Sequence, residues 1–235
     1  SEMCIRDRSA WVDTLRYTTF VWAGLFHVSL LVMVEISERV SRAEQKRRTR
    51  SALIYAARGL FVAQGYTATT ADAIARAARV SRATFYLHFR SKAEIVLELM
   101  HDLEPELLAD FGKLKSLDAT TEAAQEWLRG HAAMWRRHTM EFTAMEQALA
   151  DEASVADEWF RFYGRIADSV PELIVRLREG GASDERARVR LTAVAMTIDR
   201  AFYFAVVRDK PEFFELVVPE IAAAIAQLLR AAPER

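Results

Sequence analysis

The stretch SRATFYLHFRSK, residues 81–92, concentrates side chains that form directional hydrogen bonds. A helix that only fills a core would not contain so many of them. Arginine offers a fork of N–H groups that matches O6 and N7 of guanine, and threonine joins a hydroxyl to a methyl group. Phe85 and Phe89 are one helical turn apart, so both are expected to face the core. The polar positions between them then point outward, where they can contact base edges and phosphates.

Two capping residues place this stretch within a helix-turn-helix. Thr70 can accept backbone N–H groups at the start of a short helix, residues 71–78. Ser81 can do the same for the next helix, which follows a tight turn at Arg79 and Val80. Two short helices joined by such a turn are typical of a helix-turn-helix. The buried positions predicted for the first of them are Ile74, Ala77 and Ala78.

The flanking segments are also predicted to be helical. Residues 37–65 carry an apolar stripe at helical spacing and end at Gly65, which suits a left-handed C-terminal residue. Ser91 is expected to cap the helix that follows, residues 92–115. The basic run before the stripe is either an arm along a phosphate backbone or a solvated helix face. The stripe comprises Leu53, Ala57, Leu60 and Phe61, and the run comprises Arg39, Arg42, Lys46, Arg47, Arg48 and Arg50.

Residues 49–100 resemble the DNA-binding domain of TetR-family transcriptional regulators. The matching elements are ALIYAARGLFVAQGY, TT-x-x-x-IA and VS-x-x-T-F-Y-x-H-F-x-SK. The resemblance implies an all-α fold, in which an N-terminal three-helix helix-turn-helix domain precedes a C-terminal helical bundle for effector binding and dimerisation. It also implies a double-stranded DNA operator as partner. The implied DNA-binding residues are Thr70, Ser81, Arg82, Ala83, Thr84, Tyr86, Leu87, His88 and Lys92.

Individual roles follow from the resemblance and from the side chains. Arg82 is expected to bind guanine, and Thr84 a base or a phosphate. Tyr86 and His88 resemble the phosphate-contacting pair of the family. Thr70 and Lys92, near helix N-termini, are the implied phosphate clamps.

Two positions depart from the family pattern. Arg79 stands where a glycine is usual, so a left-handed backbone there costs about 1 kcal/mol. Leu87 occupies a groove-facing position that is often polar, and we interpret it as packing on a thymine methyl group. Leu87→Ala should then change the preference at one operator position.

Composition and charge fit this organisation. The chain has 235 residues, is 51% apolar and contains only 8 Gly and 5 Pro, which favours helix. Its single cysteine, Cys4, excludes an internal disulfide or a cysteine-based zinc site and suits a cytoplasmic protein. Residues 35–100 hold 12 Lys/Arg against 6 Asp/Glu, whereas residues 101–235 hold 17 against 24. A basic segment joined to an acidic one is typical of a polyanion-binding module attached to another domain.

Three segments are predicted from these shifts: an extension (1–36), the helix-turn-helix domain (37–100) and an effector-binding and dimerisation domain (101–235). Within the extension, residues 17–34 form an apolar run with His27 as its one side chain that can titrate near neutral pH. The run is short for a transmembrane helix, so we interpret the extension as artefactual or dispensable, with Met33 as a start. The alternative is a membrane-anchored regulator.

The acidic half is predicted to form helices over 121–137, 139–150, 155–179, 184–208 and 211–231. It resembles EthR-type members of the family, whose tunnel takes lipophilic molecules, although Ala195 and Ile198 stand where that subgroup has asparagines. A small hydrophobic effector and a homodimer formed through residues 184–231 are therefore expected. The candidate pocket residues are Trp127, Trp135, Phe142, Met145, Trp159, Tyr163, Met196 and Phe202.

Other functions find less support in the sequence. His131, His138 and Glu141 could hold a metal, but surface positions explain them more simply, so no metal and no cofactor are predicted. Ser81 and His88 lack an orienting acid, and there is no glycine-rich phosphate loop, so the chain is predicted not to be an enzyme. A helical ligand-binding protein without operator function remains an alternative.

Overall fold

The computed structural model describes residues 41–230, to which all structural statements below refer. Contacts divide the chain into two units, Ser1–Ala52 and Leu53–Arg235. Of the first unit, residues 41–52 are described, and they are helical. The predicted extension, including the apolar run 17–34, lies outside the described residues.

The all-α fold class is confirmed, since the described part of the chain contains helices and no strand. Helix α1 covers residues 41–68. The helices that follow are α2 (Ala71–Ala77), α3 (Arg82–His88), α4 (Lys92–Phe111), α5 (Thr121–Arg137), α6 (Thr139–Asp151), α7 (Ala153–Asp168), α8 (Pro171–Glu179), α9 (Asp184–Phe202) and α10 (Pro211–Arg230). A short 3-10 helix, Gly112–Ser116, follows α4, and a π-helical turn, Tyr203–Val207, follows α9.

The core of the helix-turn-helix forms largely as its pattern predicts. Phe85 and Phe89 are buried, and Phe85 has no exposed surface. The apolar stripe on α1 also faces inward, with Leu60 only partly buried. In α2, Ile74 is buried as predicted, but Ala77 is exposed and Ala75 is buried instead. The seven-residue α2 therefore presents a slightly different face from the one predicted.

Two of the three predicted caps are confirmed. The Thr70 hydroxyl accepts from the Ala73 N–H at 3.1 Å, and the Ser81 hydroxyl accepts from the Thr84 N–H at 3.0 Å. The Ser91 side chain makes no such bond. A carboxylate three residues later instead fastens the chain that enters α4, since Glu94 Oε2 accepts from the Arg90 N–H at 2.6 Å. Since Arg90 precedes the N-cap residue Ser91, this bond differs from a capping box, in which the carboxylate accepts from the N–H of the N-cap residue itself.

Backbone geometry confirms the strained turn. Arg79 has a φ of 57°, in the left-handed region that glycine adopts at lower cost. Gly65 has a φ of 80°, as predicted, although helical structure continues to residue 68. Gly65 thus lies in the last turn of α1, and Arg79 lies between α2 and α3.

The predicted helix 155–179 is wrong as a single element. It breaks into α7 and α8 because Pro171 lacks an N–H group and disfavours helical geometry at the residue before it. Val170 accordingly has φ −127° and ψ 56°, and Pro171 becomes the first residue of α8. Similarly, the predicted helix 184–208 is α-helical only to Phe202.

The acidic half forms a helical bundle. Helix α10 packs along α5, α7 packs along α9, and α4 packs against both α6 and α7. Helix α4 contributes buried residues along its whole length, from Ala93 to Phe111. The predicted domain boundary at residue 100 falls inside this helix and stays a prediction. A further link joins α1 to α6, where Arg58 Nη2 lies 3.0 Å from Oε1 of the buried Glu141.

Within residues 41–230, no helix combines the length and the apolar character needed to cross a bilayer. The membrane-anchored alternative concerns residues 17–34, of which the described part of the chain says nothing.

Candidate functional site

Helix α3 presents four exposed side chains to solvent. Arg82, Ala83, Tyr86 and Leu87 lie on this face, and Leu87 is 79% exposed. The opposite face of the helix is anchored by Phe85, whose ring lies 6.0 Å from that of Phe89. A leucine this exposed on a short helix makes no contribution to the core. The face is therefore available to a partner.

The remaining predicted residues near α3 are engaged locally. The Thr84 hydroxyl lies 2.8 Å from the Ser81 hydroxyl, so both also serve the helix N-terminus. His88 and Thr84 are half-buried, and Thr70 is exposed at the start of α2. Together with the exposed face of α3, these residues (Thr70, Ser81, Thr84 and His88) therefore lie along the adjacent helices α2 and α3.

Arg82 has a partner that the sequence analysis missed. Its Nη1 donates to Oδ2 of Asp72 at 3.0 Å, and its guanidinium lies 5.6 Å from the centre of the Tyr86 ring. A spacing of ten residues across a turn gives no periodic signal, so only the packing of α2 against α3 reveals this pair.

As a phosphate clamp, Lys92 is expected to extend toward DNA. In the structure it is half-buried and contacts the protein itself. Its ammonium donates to the backbone carbonyl of Tyr66 at 2.8 Å. The same ammonium lies 4.0 Å from the centre of the Tyr66 ring. Burial lowers the pKa of Lys92, while Asp151 and Glu152 oppose this shift. In this structure the lysine joins the end of α1 to the start of α4.

The surroundings of α3 are basic. Residues 70–92 contain five Lys/Arg and one acidic residue, and Arg76, Arg79 and Arg90 are exposed. In the described part of the basic run on α1, Glu44 pairs with Arg47 and Arg48, which lowers the pKa of that carboxyl. Both interpretations of the run therefore stay open.

Half of the candidate pocket residues line one closed site. Trp135, Phe142, Trp159 and Tyr163 surround an enclosed space of about 10 Å³, together with the expected Ala195 and Ile198. That volume corresponds to about one water molecule. Met145 lines a neighbouring space of the same size, which shares Trp159.

The other candidate pocket residues lie elsewhere. Trp127 borders a surface cleft beside Asp110. Phe202 is fully buried and packs against Trp135 and His131 without lining the closed site. Met196 is 42% exposed on α9 and lines neither of the two small spaces.

His131 is buried, contrary to its predicted surface position. Its Nδ1 lies 2.6 Å from Oδ2 of Asp110, and its Nε2 lies 3.2 Å from Nε1 of Trp135. An indole N–H can only donate, so His131 Nε2 accepts, and the neutral ring donates from Nδ1 to Asp110. Burial would raise the pKa of Asp110, but hydrogen bonds from His131 and Lys113 hold it below its usual value.

The candidate metal ligands are separated. His131 pairs with Asp110, His138 lies 3.1 Å from Glu106, and Glu141 pairs with Arg58. Among the residues that the structure describes, no group of three or more possible ligands converges.

A second buried polar chain borders the closed pocket. The Trp159 indole N–H donates to the Tyr163 hydroxyl at 2.9 Å, and that hydroxyl donates to Oδ2 of Asp199 at 2.7 Å. Burial is the main reason that the pKa of Asp199 rises from 3.8 to about 6; the Tyr163 hydrogen bond opposes the rise and Glu146 adds to it. Burial beside Asp199 also raises the pKa of Tyr163.

This raised pKa predicts an unusual pH dependence. Folded Asp199 binds its proton more tightly than the unfolded chain, so its contribution to stability falls as the pH rises from 3.8 to about 6. An asparagine at this position would keep an acceptor for Tyr163 without the charge. We expect Asp199→Asn to stabilise the protein at pH 8 by about 1–3 kcal/mol and to have little effect near pH 4. Urea unfolding at both pH values measures this, with the exposed Asp157→Asn as control. Equal stability of both proteins at pH 8 would contradict the assignment.

Comparisons with known proteins agree with this geometry. Residues 53–99 match the family model described as bacterial regulatory proteins, tetR family. The chain is 44% identical over 68 residues to the HTH-type transcriptional regulator TcmR of Streptomyces glaucescens, covering 29% of this chain and 30% of that protein. It is 29% identical over 164 residues to the HTH-type transcriptional activator FasR of Mycolicibacterium smegmatis, covering 66% and 71%. The matches span 30–63% of the first three curated relatives.

The fold also has solved counterparts. Thermus thermophilus FadR, a TetR-family transcriptional repressor in complex with lauroyl-CoA, matches with a TM-score of 0.52 at 22% identity. The match covers 79% of this chain and 96% of FadR. The family match over 53–99 coincides with the helices that carry the exposed face of α3 and its capped, phenylalanine-anchored core. The similarity to the tetR family of bacterial regulatory proteins is therefore carried by residues 53–99, the segment that contains α2 and α3.

Proposed function

We propose that the protein is a transcriptional regulator, acting as a repressor, that binds a DNA operator through α3. The observation that carries the proposal is the exposed face of α3, defined above by Arg82, Ala83, Tyr86 and Leu87. A helix reads the major groove when its first turn is small and polar and its opposite face is fixed to the domain. Ser81 and Ala83 provide the small residues, and Phe85 provides the anchor.

Electrostatics support a polyanionic partner. The exposed arginines around α3 lie in a segment with a single acidic residue. Each phosphate that such a side chain neutralises releases counterions, so affinity falls steeply with added salt. A surface that served only to keep the protein soluble would mix charges of both signs.

A dimer supplies the second α3 that a two-fold symmetric operator needs. Helices α9 and α10 and the π-helical turn between them expose large apolar side chains: Val189, Met196, Phe204, Phe213 and Leu216. The first three recur at seven or eight residues, which places them along one face of α9 and its π-helical extension. An apolar stripe of this kind fits a second copy, and it falls inside the predicted interface, residues 184–231.

The aromatic cluster between α5, α6, α7 and α9 is the proposed effector site. It is largely apolar, with His131 and the Tyr163–Asp199 pair as polar lining, a composition suited to a small hydrophobic molecule. FadR, which has a similar fold, is solved in complex with lauroyl-CoA. Because the space here is about 10 Å³, an effector must separate the rings to enter. The effector can cause the protein to release the operator only if it binds the DNA-free conformation more tightly than the DNA-bound conformation.

Binding to the DNA adjoining the protein's own gene tests this function. The native protein is expected to shift that fragment at lower concentration than a scrambled fragment of equal length. Arg82→Ala should weaken the specific complex by about 10- to 100-fold, because a bidentate guanine contact accounts for about 1–3 kcal/mol. Binding to the scrambled fragment should change much less.

Arg161→Ala is the matched control, since Arg161 is an exposed arginine on α7, outside the proposed dimer interface. It removes the same charge far along the chain from α3 and should leave the specific complex unchanged. Equal affinity of the native protein for the two fragments, across a range of salt concentrations, would contradict operator binding and favour a ligand-binding protein without it.

A further inference from the structure

Asp72 is an isolated acidic residue in a basic segment. Between residues 45 and 93 the sequence contains no other aspartate or glutamate. A carboxylate next to a DNA-binding surface repels phosphates and weakens binding to every sequence. Its position in the first turn of α2 stabilises that helix, but such an effect is small at an exposed site. The placement of Asp72 is thus better explained by what its side chain contacts.

The contact is with the first residue of the reading helix. Asp72 Oδ2 accepts from Arg82 Nη1 at 3.0 Å, and this bridge links α2 directly to α3. The other carboxylate oxygen, Oδ1, is buried, and no described residue lies within hydrogen-bonding distance of it. Burial of one oxygen fixes the direction of the other. Asp72 is therefore a rigid partner for a flexible side chain.

The bridge leaves most of the guanidinium free. Arginine has five N–H donors, and the contact with Asp72 uses one of them. The edge formed by Nε and Nη2 still carries two parallel N–H groups, which is the arrangement that matches O6 and N7 of guanine. The Tyr86 ring, 5.6 Å from the guanidinium carbon, limits movement on another side. Arg82 is thereby oriented before DNA arrives.

We propose that Asp72 is a specificity-determining residue that holds Arg82 in its base-reading direction and keeps it off neighbouring phosphates. This inference rests on the proposed DNA-binding function and deepens it. A free arginine beside a DNA groove can pair with any phosphate oxygen, which carries no sequence information. The bridge with Asp72 opposes that exchange. Selectivity for one base pair is gained at the expense of general affinity.

The test compares Asp72→Asn with the native protein on operator DNA, on operator variants with the guanine replaced, and on scrambled DNA. Asparagine keeps the shape of the side chain but lacks the charge that holds Arg82. We expect affinity for scrambled DNA to rise about three- to tenfold, with a steeper dependence on salt by about one ion per half-site. We expect preference for the guanine to fall about three- to tenfold. Asp157→Asn, which removes an exposed charge from α7, should alter neither quantity.

A double-mutant cycle separates positioning from a structural role. On an Arg82→Ala background, Asp72→Asn should leave base preference unchanged, because the side chain that it positions is gone. Thermal unfolding of each variant checks that the domain is folded. The proposal would be overturned if Asp72→Asn changed the affinity for every DNA sequence by the same factor. It would also be overturned if this variant increased the preference for guanine. A native protein that binds operator and scrambled DNA equally well would instead count against the proposed function itself.

Discussion

Replacing Phe85 with alanine is expected to destabilise the helix-turn-helix by about 3–5 kcal/mol and to abolish operator binding. The Phe85 side chain has no exposed surface, and its ring packs 5.2 Å from that of Tyr86 and 6.0 Å from that of Phe89. Helix α3 is only seven residues long, too short to be stable without such an anchor. Urea unfolding followed by far-UV circular dichroism measures the loss, and a gel shift measures binding.

Leu87→Ala is the matched control on the same helix. Leu87 is two residues from Phe85 and 79% exposed, so its truncation should change the free energy of unfolding by less than about 0.5 kcal/mol. It should nevertheless alter the preference at one operator position if Leu87 packs on a thymine methyl group. Similar destabilisation by the two variants would show that α3 is not held by Phe85 in the way described.

Leu216→Glu is expected to dissociate the proposed dimer and to reduce operator affinity by about 100-fold or more. Leu216 is 72% exposed on α10 and lies within the proposed interface, residues 184–231. Two glutamates brought together across a two-fold axis would repel each other and lose hydration. A monomer engages one half-site at a time, so it loses the effective concentration that links the two.

Sedimentation equilibrium and a gel shift measure the two consequences. Val175→Glu is the control, because Val175 is a half-exposed apolar residue on α8, outside the proposed interface. It should leave both mass and affinity unchanged. A native protein that sediments as a monomer, or a Leu216→Glu protein that remains dimeric, would contradict the interface at α9 and α10.

The sequence predicts the helix-turn-helix well because its signals are local. The hydroxyls of Thr70 and Ser81 cap helices a few residues away, and Phe85 and Phe89 follow helical spacing. Arg79 shows the same locality, since its left-handed backbone follows from the turn alone. The break at Val170 is also local, because Pro171 disfavours helical geometry at the residue before it. Helical periodicity misses this break because the apolar residues on both sides of it continue the helical spacing.

Side-chain contacts between different helices could not be predicted from the sequence. The Arg82–Asp72 bridge and the Lys92–Tyr66 contact join residues 10 and 26 positions apart, on helices whose packing no pattern specifies. The same holds for the aromatic site. Trp135 and Trp159 are identified by type, but Met196 faces outward, because the rotation of α9 is set by the bundle and not by its own composition.

The proposed operator binding and the proposed dimer both require that two copies of α3 contact one operator. Selection of bound duplexes from a random DNA library measures this most directly. The account predicts enrichment of a two-fold symmetric sequence whose half-sites are separated by about 10–10.5 base pairs or a multiple of that distance. Enrichment of no sequence, or of a single half-site without its symmetric counterpart, would contradict it.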